Sequence, residues 1–216
     1  MTSWEKAGLF HSGPAAAIVR KKGKWPLALI AALLFALPAW GLRPVAAKHG
    51  VVVTAEPLAS DAGVEMMRAG GNAVDAAVAV GFTLAVTYPY AGNIGGGGFM
   101  LVRMSNGEAV VIDYREQAPA STSRNMYLNP QGELIPRAST EGPRAVGVPG
   151  TVAGLALAEQ KFGKLGLARV LEPAIRLAQD GFPVSFALSE SLLYSKDHLS
   201  KFAETRRIYL RDGRPY

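Results

Sequence analysis

The chain of 216 residues contains no cysteine and few histidines, namely His11, His49 and His198. Without cysteine the protein has no disulfide framework, no thiolate nucleophile and no thiolate ligand for a metal. The three histidines lie far apart in sequence, and none has the short spacing to another histidine that is typical of metal sites. They also offer no base for a Ser-His-Asp site. We therefore expect a protein that uses neither a metal nor a cofactor.

The chain also lacks a concentrated run of positive charge outside its N-terminal segment, although its formal net charge is +6. Residues 1–47 hold six of the 23 basic side chains and one of the 17 acidic ones, which leaves 17 and 16, or a net charge of +1, for the remainder. Binding to a phosphate backbone requires clustered positive charge. We therefore predict that the protein does not bind nucleic acid.

The longest apolar stretch, Trp25 to Trp40, follows a cluster of four basic residues between Arg20 and Lys24. It is shorter than the roughly 20 residues that a membrane-spanning helix needs. The small residues before Lys48 suit cleavage by a signal peptidase. We predict that residues 1–47 are a signal peptide and that 48–216 form one domain, which makes the protein periplasmic or secreted. The alternative is an uncleaved anchor, the only part that would contact a membrane.

The periodicity of apolar residues and the capping residues predict an α+β fold. The first predicted elements are a buried strand over 50–55, a helix capped by Ser60 that ends near 69, a helix capped by Asn72 that ends near 87, and a β-hairpin over 99–114. A short strand over 145–148 and a helix capped by Thr151 that ends near 162 follow. The last are two helical pieces over 167–171 and 174–180, divided by Pro173, and a helix from Ser185 to about 194.

Asn106-Gly107 lies between two apolar runs, and this pair is the strongest short-range signal for a hairpin with a two-residue type I′ turn. Such a turn sets Phe99 opposite Tyr114 and Gly98 opposite Arg115. Both faces of the ribbon are then mostly apolar. We therefore predict a layer of structure on each face.

The four successive glycines at 95–98 leave bare backbone close to Arg115 in this register. The run has three interpretations: a phosphate loop, a packing surface or a wall of a substrate site. No Gly-Lys-Ser/Thr follows it, which disfavours the phosphate loop. Arg115 has two interpretations, a carboxylate-binding fork and an internal ion pair with Asp113 or Glu116. Thr151 follows a glycine as a nucleophile could, but a helix cap explains it more simply.

Five segments together resemble the γ-glutamyltranspeptidases from about Lys48 onward. They are Lys48-His49-Gly50, the stretch from Gly70 to Ala77, the stretch from Gly92 to Met100, Asp113-Tyr114-Arg115-Glu116 and the stretch from Pro149 to Gly154. The resemblance implies an exported N-terminal nucleophile hydrolase with an αββα sandwich. It also implies a precursor that cuts itself into a large and a small subunit.

In this family the new N-terminal threonine of the small subunit attacks the γ-glutamyl amide of glutathione, and its own α-amine acts as the base. The acyl group then passes to water or to an amino acid or peptide. By its place in the motif, Arg115 resembles the family arginine that binds the α-carboxylate of the substrate. The small subunit is absent from this sequence, so the resemblance implies a partial large subunit with no catalytic residue of its own, an incomplete sandwich and no turnover alone.

Two alternatives stay open at this stage. A related enzyme could act on cephalosporin side chains or on poly-γ-glutamate, since the residues that distinguish these substrates lie outside the sequence. From a different class, an exported non-catalytic module could use Arg115 to hold small carboxylates.

Overall fold

The computed structural model describes residue 44 and residues 46–216. Nearly all of the predicted signal segment therefore lies outside the described residues, as does His11. Residues 49–216 form one compact unit. Across the described part of the chain, no helix has the length and apolarity needed to cross a membrane.

Helices and short antiparallel ribbons make up the unit, as expected for an α+β fold. The elements are α1 (Pro57–Arg68), α2 (Ala73–Thr87), β1 (Phe99–Arg103), β2 (Ala109–Asp113), a 3-10 turn (Pro143–Ala145), α3 (Thr151–Phe162), α4 (Leu167–Asp180), α5 (Phe186–Leu199), α6 (Ala203–Tyr209), β3 (Leu210–Arg211) and β4 (Arg214–Pro215). β1 pairs with β2, and β3 pairs with β4.

Helix α2 is the centre of the core. Its small apolar residues Val78 and Ala79 are fully buried, as the sequence predicts for a helix that its neighbours approach closely. Asn72 accepts N–H groups at the start of the helix, and Asp75 completes the predicted capping box. Helices α1, α3 and α4 pack around α2, so the apolar face of each has a partner.

Helix α1 begins earlier than predicted. Its cap is Glu56, whose side chain accepts the N–H of Ala59, and Pro57 occupies the first turn. Ser60 lies inside the helix, where its hydroxyl contacts that of Thr54 at 2.7 Å. The prediction of Ser60 as the cap is therefore wrong, because a proline suits the first helical turn and the residue before it then takes the cap position.

The predicted buried strand over 50–55 is also wrong. This segment is extended but unpaired among the described residues, and Val51 and Val53 are 64% and 84% exposed. Val52 points the other way, toward Gly63 of α1. A run of β-branched residues favours extended backbone, but a strand exists only where a neighbouring strand accepts its hydrogen bonds.

The β1–β2 hairpin forms, but one residue out of the predicted register. Phe99 lies opposite Asp113, and Gly98 pairs with Tyr114 instead of Arg115. The loop has three residues, since the N–H of Met104 donates to the carbonyl of Glu108 at 2.8 Å. Gly107 alone in this loop has a positive φ, of 90°. These are the features of a type I turn followed by a left-handed glycine.

Only one face of this ribbon is covered in the described part of the chain. Val102 and Ile112 are buried in the core around α2. On the opposite face Phe99, Leu101 and Val111 are 59%, 71% and 63% exposed. The predicted cover is therefore present on one face and missing from the other among the described residues, because the helices that contact the ribbon lie on a single side.

Three later predictions also need correction. Residues 145–148 do not form a strand; Ala145 ends the 3-10 turn, and Val148 makes one bridge, to Gln117. Pro173 does not divide two helical pieces but lies inside α4. Ser185 does cap α5, yet the helix continues to Leu199 instead of ending near 194.

Candidate functional site

Arg115 lies just beyond the end of β2, on a segment whose backbone is held at both ends. On one side the N–H of Tyr114 donates to the carbonyl of Gly98 at 3.0 Å. On the other side Gln117 and Val148 exchange two backbone hydrogen bonds, of 3.1 and 2.8 Å. The N–H of Arg115 itself donates to the carboxylate of Asp113 at 3.0 Å. The Cα of Arg115 is therefore fixed while its side chain is free to extend.

The guanidinium of Arg115 is accessible. The side chain is 69% exposed, and an ion pair joins its Nε to Oε2 of Glu116 at 3.4 Å. Such an exposed pair contributes little free energy. Arg115 borders an open recess of about 270 Å³ whose walls include Tyr114, Pro149 and Gly154. The arrangement leaves the outer N–H groups of the fork available to a planar anion beside a partly apolar wall.

The glycine run packs against this same segment. A Cβ on Gly97 would lie 2.5 Å from the carbonyl oxygen of Tyr114 and 2.7 Å from the backbone nitrogen of Glu116. The carbonyl of Gly96 accepts the N–H groups of Gly150 and Thr151 at 2.9 and 3.1 Å. Close packing therefore explains Gly97, which faces backbone, and Gly96 and Gly98, which face side chains. The amides of the run do not converge on a helix N-terminus as they would in a phosphate loop.

Gly95 differs from the other glycines of the run. Its nearest neighbour on the Cβ side is Oδ1 of Asn93 at 3.7 Å. The packing interpretation accounts for Gly96, Gly97 and Gly98, whereas Gly95 has open space beside it.

Tyr114 is the residue that joins the elements of the site. Its ring lies against the backbone of Gly154 in α3 and within 3.1 Å of a Cβ built on Gly98, and its carbonyl meets Gly150. Burial of the ring raises the pKa of its hydroxyl above the usual 10.0. Sequence reasoning missed this role. The available signal is that Gly150 and Gly154 are four residues apart and so lie on one face of the helix.

Thr151 is not the cap of α3. The cap position is Gly150, and Thr151 is the first helical residue, buried, with its N–H directed to the carbonyl of Gly96. The prediction of a threonine cap is wrong because the glycine run supplies the acceptor for the first N–H groups of the helix. A side-chain cap is therefore unnecessary.

The histidines of the described region lie apart from Arg115. His49 is exposed, and Nδ1 of His198 lies 3.5 Å from Glu141. In residues 44 and 46–216 no three side chains of histidine, aspartate or glutamate gather as metal ligands.

Comparison with known proteins identifies the fold and then the family. A solved γ-glutamyltranspeptidase from Helicobacter pylori superimposes with a TM-score of 0.76 at 41% identity, over 80% of this chain and 50% of that one. A γ-glutamyltranspeptidase from Pseudomonas nitroreducens, solved as a complex with L-DON, superimposes with a TM-score of 0.67 at 46% identity, over 74% of this chain and 47% of that one. The fold is therefore that of the N-terminal nucleophile hydrolases, an αββα sandwich that this chain contains in part.

The family model for γ-glutamyltranspeptidase matches residues 59–216. The glutathione hydrolase proenzyme of Escherichia coli (strain K12) is 47% identical over 174 residues, which are 80% of this chain and 30% of that protein. The chain thus spans about a third of the length of this curated relative. It belongs to the γ-glutamyltranspeptidase family, as the five motifs predicted.

Proposed function

We propose that this chain is part of a γ-glutamyltransferase or glutathione hydrolase and that Arg115 binds the α-carboxylate of the γ-glutamyl substrate. The observation that carries the proposal is the position of Arg115: an accessible guanidinium on a fixed backbone, beside a recess of about 270 Å³. A carboxylate accepts two parallel N–H bonds from such a fork.

The ion pair with Glu116 is compatible with this role. The side chains of Arg115 and Glu116 are 69% and 39% exposed. Because both are in contact with water, their attraction is weak, and a substrate carboxylate can replace Glu116. A substrate carboxylate that excludes water from the recess makes a stronger pair with the same guanidinium, because the effective dielectric constant falls. In the absence of substrate, Glu116 pairs with Nε of Arg115, which leaves the two outer nitrogens of the guanidinium to the substrate.

The remainder of the reaction is assigned to sequence outside these 216 residues. The hydroxyl oxygen of an N-terminal threonine would attack the γ-carbonyl carbon while the threonine α-amine takes the hydroxyl proton. The C–N bond would then break, with the proton passing to the departing amine, and water or an acceptor amine would release the acyl group. The 216-residue chain alone is therefore expected to have no turnover, and a small subunit is its required partner.

We also propose that residues 1–47 direct export, so that the enzyme acts in the periplasm or outside the cell. The support is the order of basic cluster, short apolar stretch and small residues. Fusing residues 1–60 to a reporter that is active only after export tests this, and an inactive reporter contradicts it.

The test of Arg115 uses the full-length protein and two substrates. Arg115→Ala should raise KM for a γ-glutamyl anilide by roughly a hundredfold, since losing the partner of a bound charge costs about 3 kcal/mol. The KM of Arg115→Lys should lie between those of the wild type and Arg115→Ala, because lysine keeps the positive charge but lacks the planar fork of N–H donors. Arg103→Ala, an exposed arginine at the end of β1, is the matched control and should change nothing.

The second substrate isolates the contact. A 4-aminobutyryl anilide lacks the α-carboxylate, so wild type and Arg115→Ala should process it equally poorly. An equal loss on both substrates would assign Arg115 a structural role, and an unchanged KM on the first would remove it from the site.

A further inference from the structure

Two buried carboxyl groups meet where three helices join, away from Arg115. Asp75, in the first turn of α2, is fully buried, and Glu159, in the last turn of α3, is 3% exposed. Both carboxyl groups accept N–H groups from the same turn, Asp75 from Lys164 and Leu165 and Glu159 from Gly166. Two ionised carboxylates buried at one turn repel each other, which favours a proton on one of them.

Asp75 is the better acceptor of the two. Its Oδ2 accepts the N–H of Asn72 at 2.6 Å, and its Oδ1 accepts the N–H groups of Lys164 and Leu165 at 2.9 and 2.7 Å. Burial by itself would raise the pKa of Asp75, but these three donors hold it below its usual 3.8. A carboxylate with three backbone donors is stable in its charged form even when buried.

Glu159 has the opposite environment. Its Oε1 accepts the N–H of Gly166 at 2.9 Å, while its Oε2 is buried and receives no donor. Burial, followed by the negative charge of Asp75, raises the pKa of Glu159 above its usual 4.5. A buried oxygen without a partner is costly. The cost disappears if that oxygen carries a proton and becomes a donor.

We propose that Glu159 is protonated in the folded protein at pH 6 and that its Oε2–H donates to the carboxylate of Asp75. The pair then holds one proton and ties the N-terminus of α2 to the turn between α3 and α4. The side-chain amide of Asn72 reinforces the same junction by donating to the carbonyl of Phe162 at 2.6 Å.

Neighbouring charges do not neutralise the pair. Lys161 on α3 and Lys164 in the turn are exposed, and Arg169 on α4 is engaged with Glu65 and Glu172. No cation contributes to the pKa of either carboxyl group in the described region. The carboxyl group of Glu159 occupies the space where a side chain on Gly163 would lie.

The proton makes stability depend on pH in a definite direction. Because the folded-state pKa of Glu159 is raised, its contribution is complete below about 4.5 and is lost as the pH rises through the folded-state value. Asp75 acts in the opposite sense, losing its contribution as the pH falls through its lowered pKa. The junction is thus strongest between about pH 3.8 and 4.5, the ordinary pKa values of the two groups, and loosens toward higher pH.

The first test compares unfolding of the full-length protein and its Glu159→Gln variant by urea at a series of pH values. Glutamine keeps an acceptor for Gly166 and a donor for Asp75 at every pH. Above pH 4.5 the unfolding constant of the wild type relative to Glu159→Gln should therefore rise, approaching tenfold per pH unit, until Glu159 ionises. Glu190→Gln, an exposed glutamate on α5, is the control and should follow the wild type. If the unfolding constants of the wild type and Glu159→Gln change with pH in the same way, the proposal is overturned.

The second test reads the proton directly and does not depend on reversible unfolding. Infrared spectra of the protein with ¹³C-labelled glutamate at pH 6 should contain the carbonyl stretch of one protonated glutamic acid. Asp75→Asn, which removes the acceptor charge, should shift that band, and Glu159→Gln should abolish it. A wild-type spectrum without a protonated glutamate band at pH 6 also overturns the proposal.

Discussion

The ring of Tyr114 lies so close to the backbone of Gly154 that no side chain, not even a methyl group, fits at that position. This contact joins the segment that carries Arg115 to the first turns of α3. The accessible guanidinium therefore depends on a strand, a helix and a run of glycines that are separated along the chain.

Gly154→Ala tests this contact. Alanine normally stabilises a helix interior by roughly 1 kcal/mol relative to glycine. Here its methyl group collides with the Tyr114 ring, and overpacking costs about 1–3 kcal/mol. We expect a net loss in the free energy of unfolding of the full-length protein, together with a raised KM for γ-glutamyl substrates.

The double variant Tyr114→Ala/Gly154→Ala is the control for that prediction. Removing the ring creates its own cavity but abolishes the collision, so the two losses should not add. Strict additivity of the two free energies would show that Gly154 does not contact Tyr114.

A second prediction separates the glycines of the run. Gly97→Ala should disrupt folding, because its Cβ would lie 2.5–2.9 Å from backbone atoms of residues 114–116 that have no room to move. Gly95→Ala should be close to neutral, since only Asn93 lies nearby, at 3.7 Å. Yield of folded full-length protein and thermal midpoints measure both. Equal tolerance at the two positions would contradict the packing interpretation.

A third prediction concerns Glu141, which joins the loop after β2 to the chain around α5. A hydrogen bond from Lys201 at 2.6 Å is the largest influence on its carboxyl group and, with Arg137 and His198, holds the pKa below 4.5. The contribution of this cluster is present above about pH 4.5 and is lost as the pH falls through the lowered pKa.

Lys201→Met should raise the pKa of Glu141 toward 4.5 in an NMR titration of the carboxyl carbon. The shift in the wild type should also shrink in high salt, because the cationic side chains around Glu141 are exposed and their charges are screened. Lys196→Met, in the last turn of α5, is the control. A Glu141 pKa that does not change in Lys201→Met would assign the lowering to another source.

Local signals in the sequence predicted much of the helical framework. Asn72 predicted the start of α2, and the predicted end of α1 near residue 69 agrees with the structure, where Gly70 follows the helix with a φ of 90°. These features succeed because a cap depends on residues within one turn of the helix end. The cap of α1 was missed because Pro57 moves the start of the helix upstream of Ser60.

Failures concentrate where a residue depends on distant partners. The segment around Val52 has the composition of a strand, but strands need a neighbour, and none lies beside it in the described part of the chain. The hairpin register shifted by one because Oδ1 of Asn106 accepts the N–H of Glu108 at 3.0 Å and holds a three-residue loop. The side-chain bond competes with the two-residue turn that the dipeptide favours.

The sequence by itself determined the family, through its ordered motifs, and it indicated Arg115 and the ends of the central helices. Only the tertiary structure decided that Tyr114 fills the space left by Gly154, that Gly97 packs on the Arg115 segment, and that Asp75 and Glu159 meet in one buried pair. Capping and turn formation are short-range and can be inferred from neighbouring residues. The packing of a ring on a glycine and the sharing of a proton depend on atoms that folding brings together from distant parts of the chain.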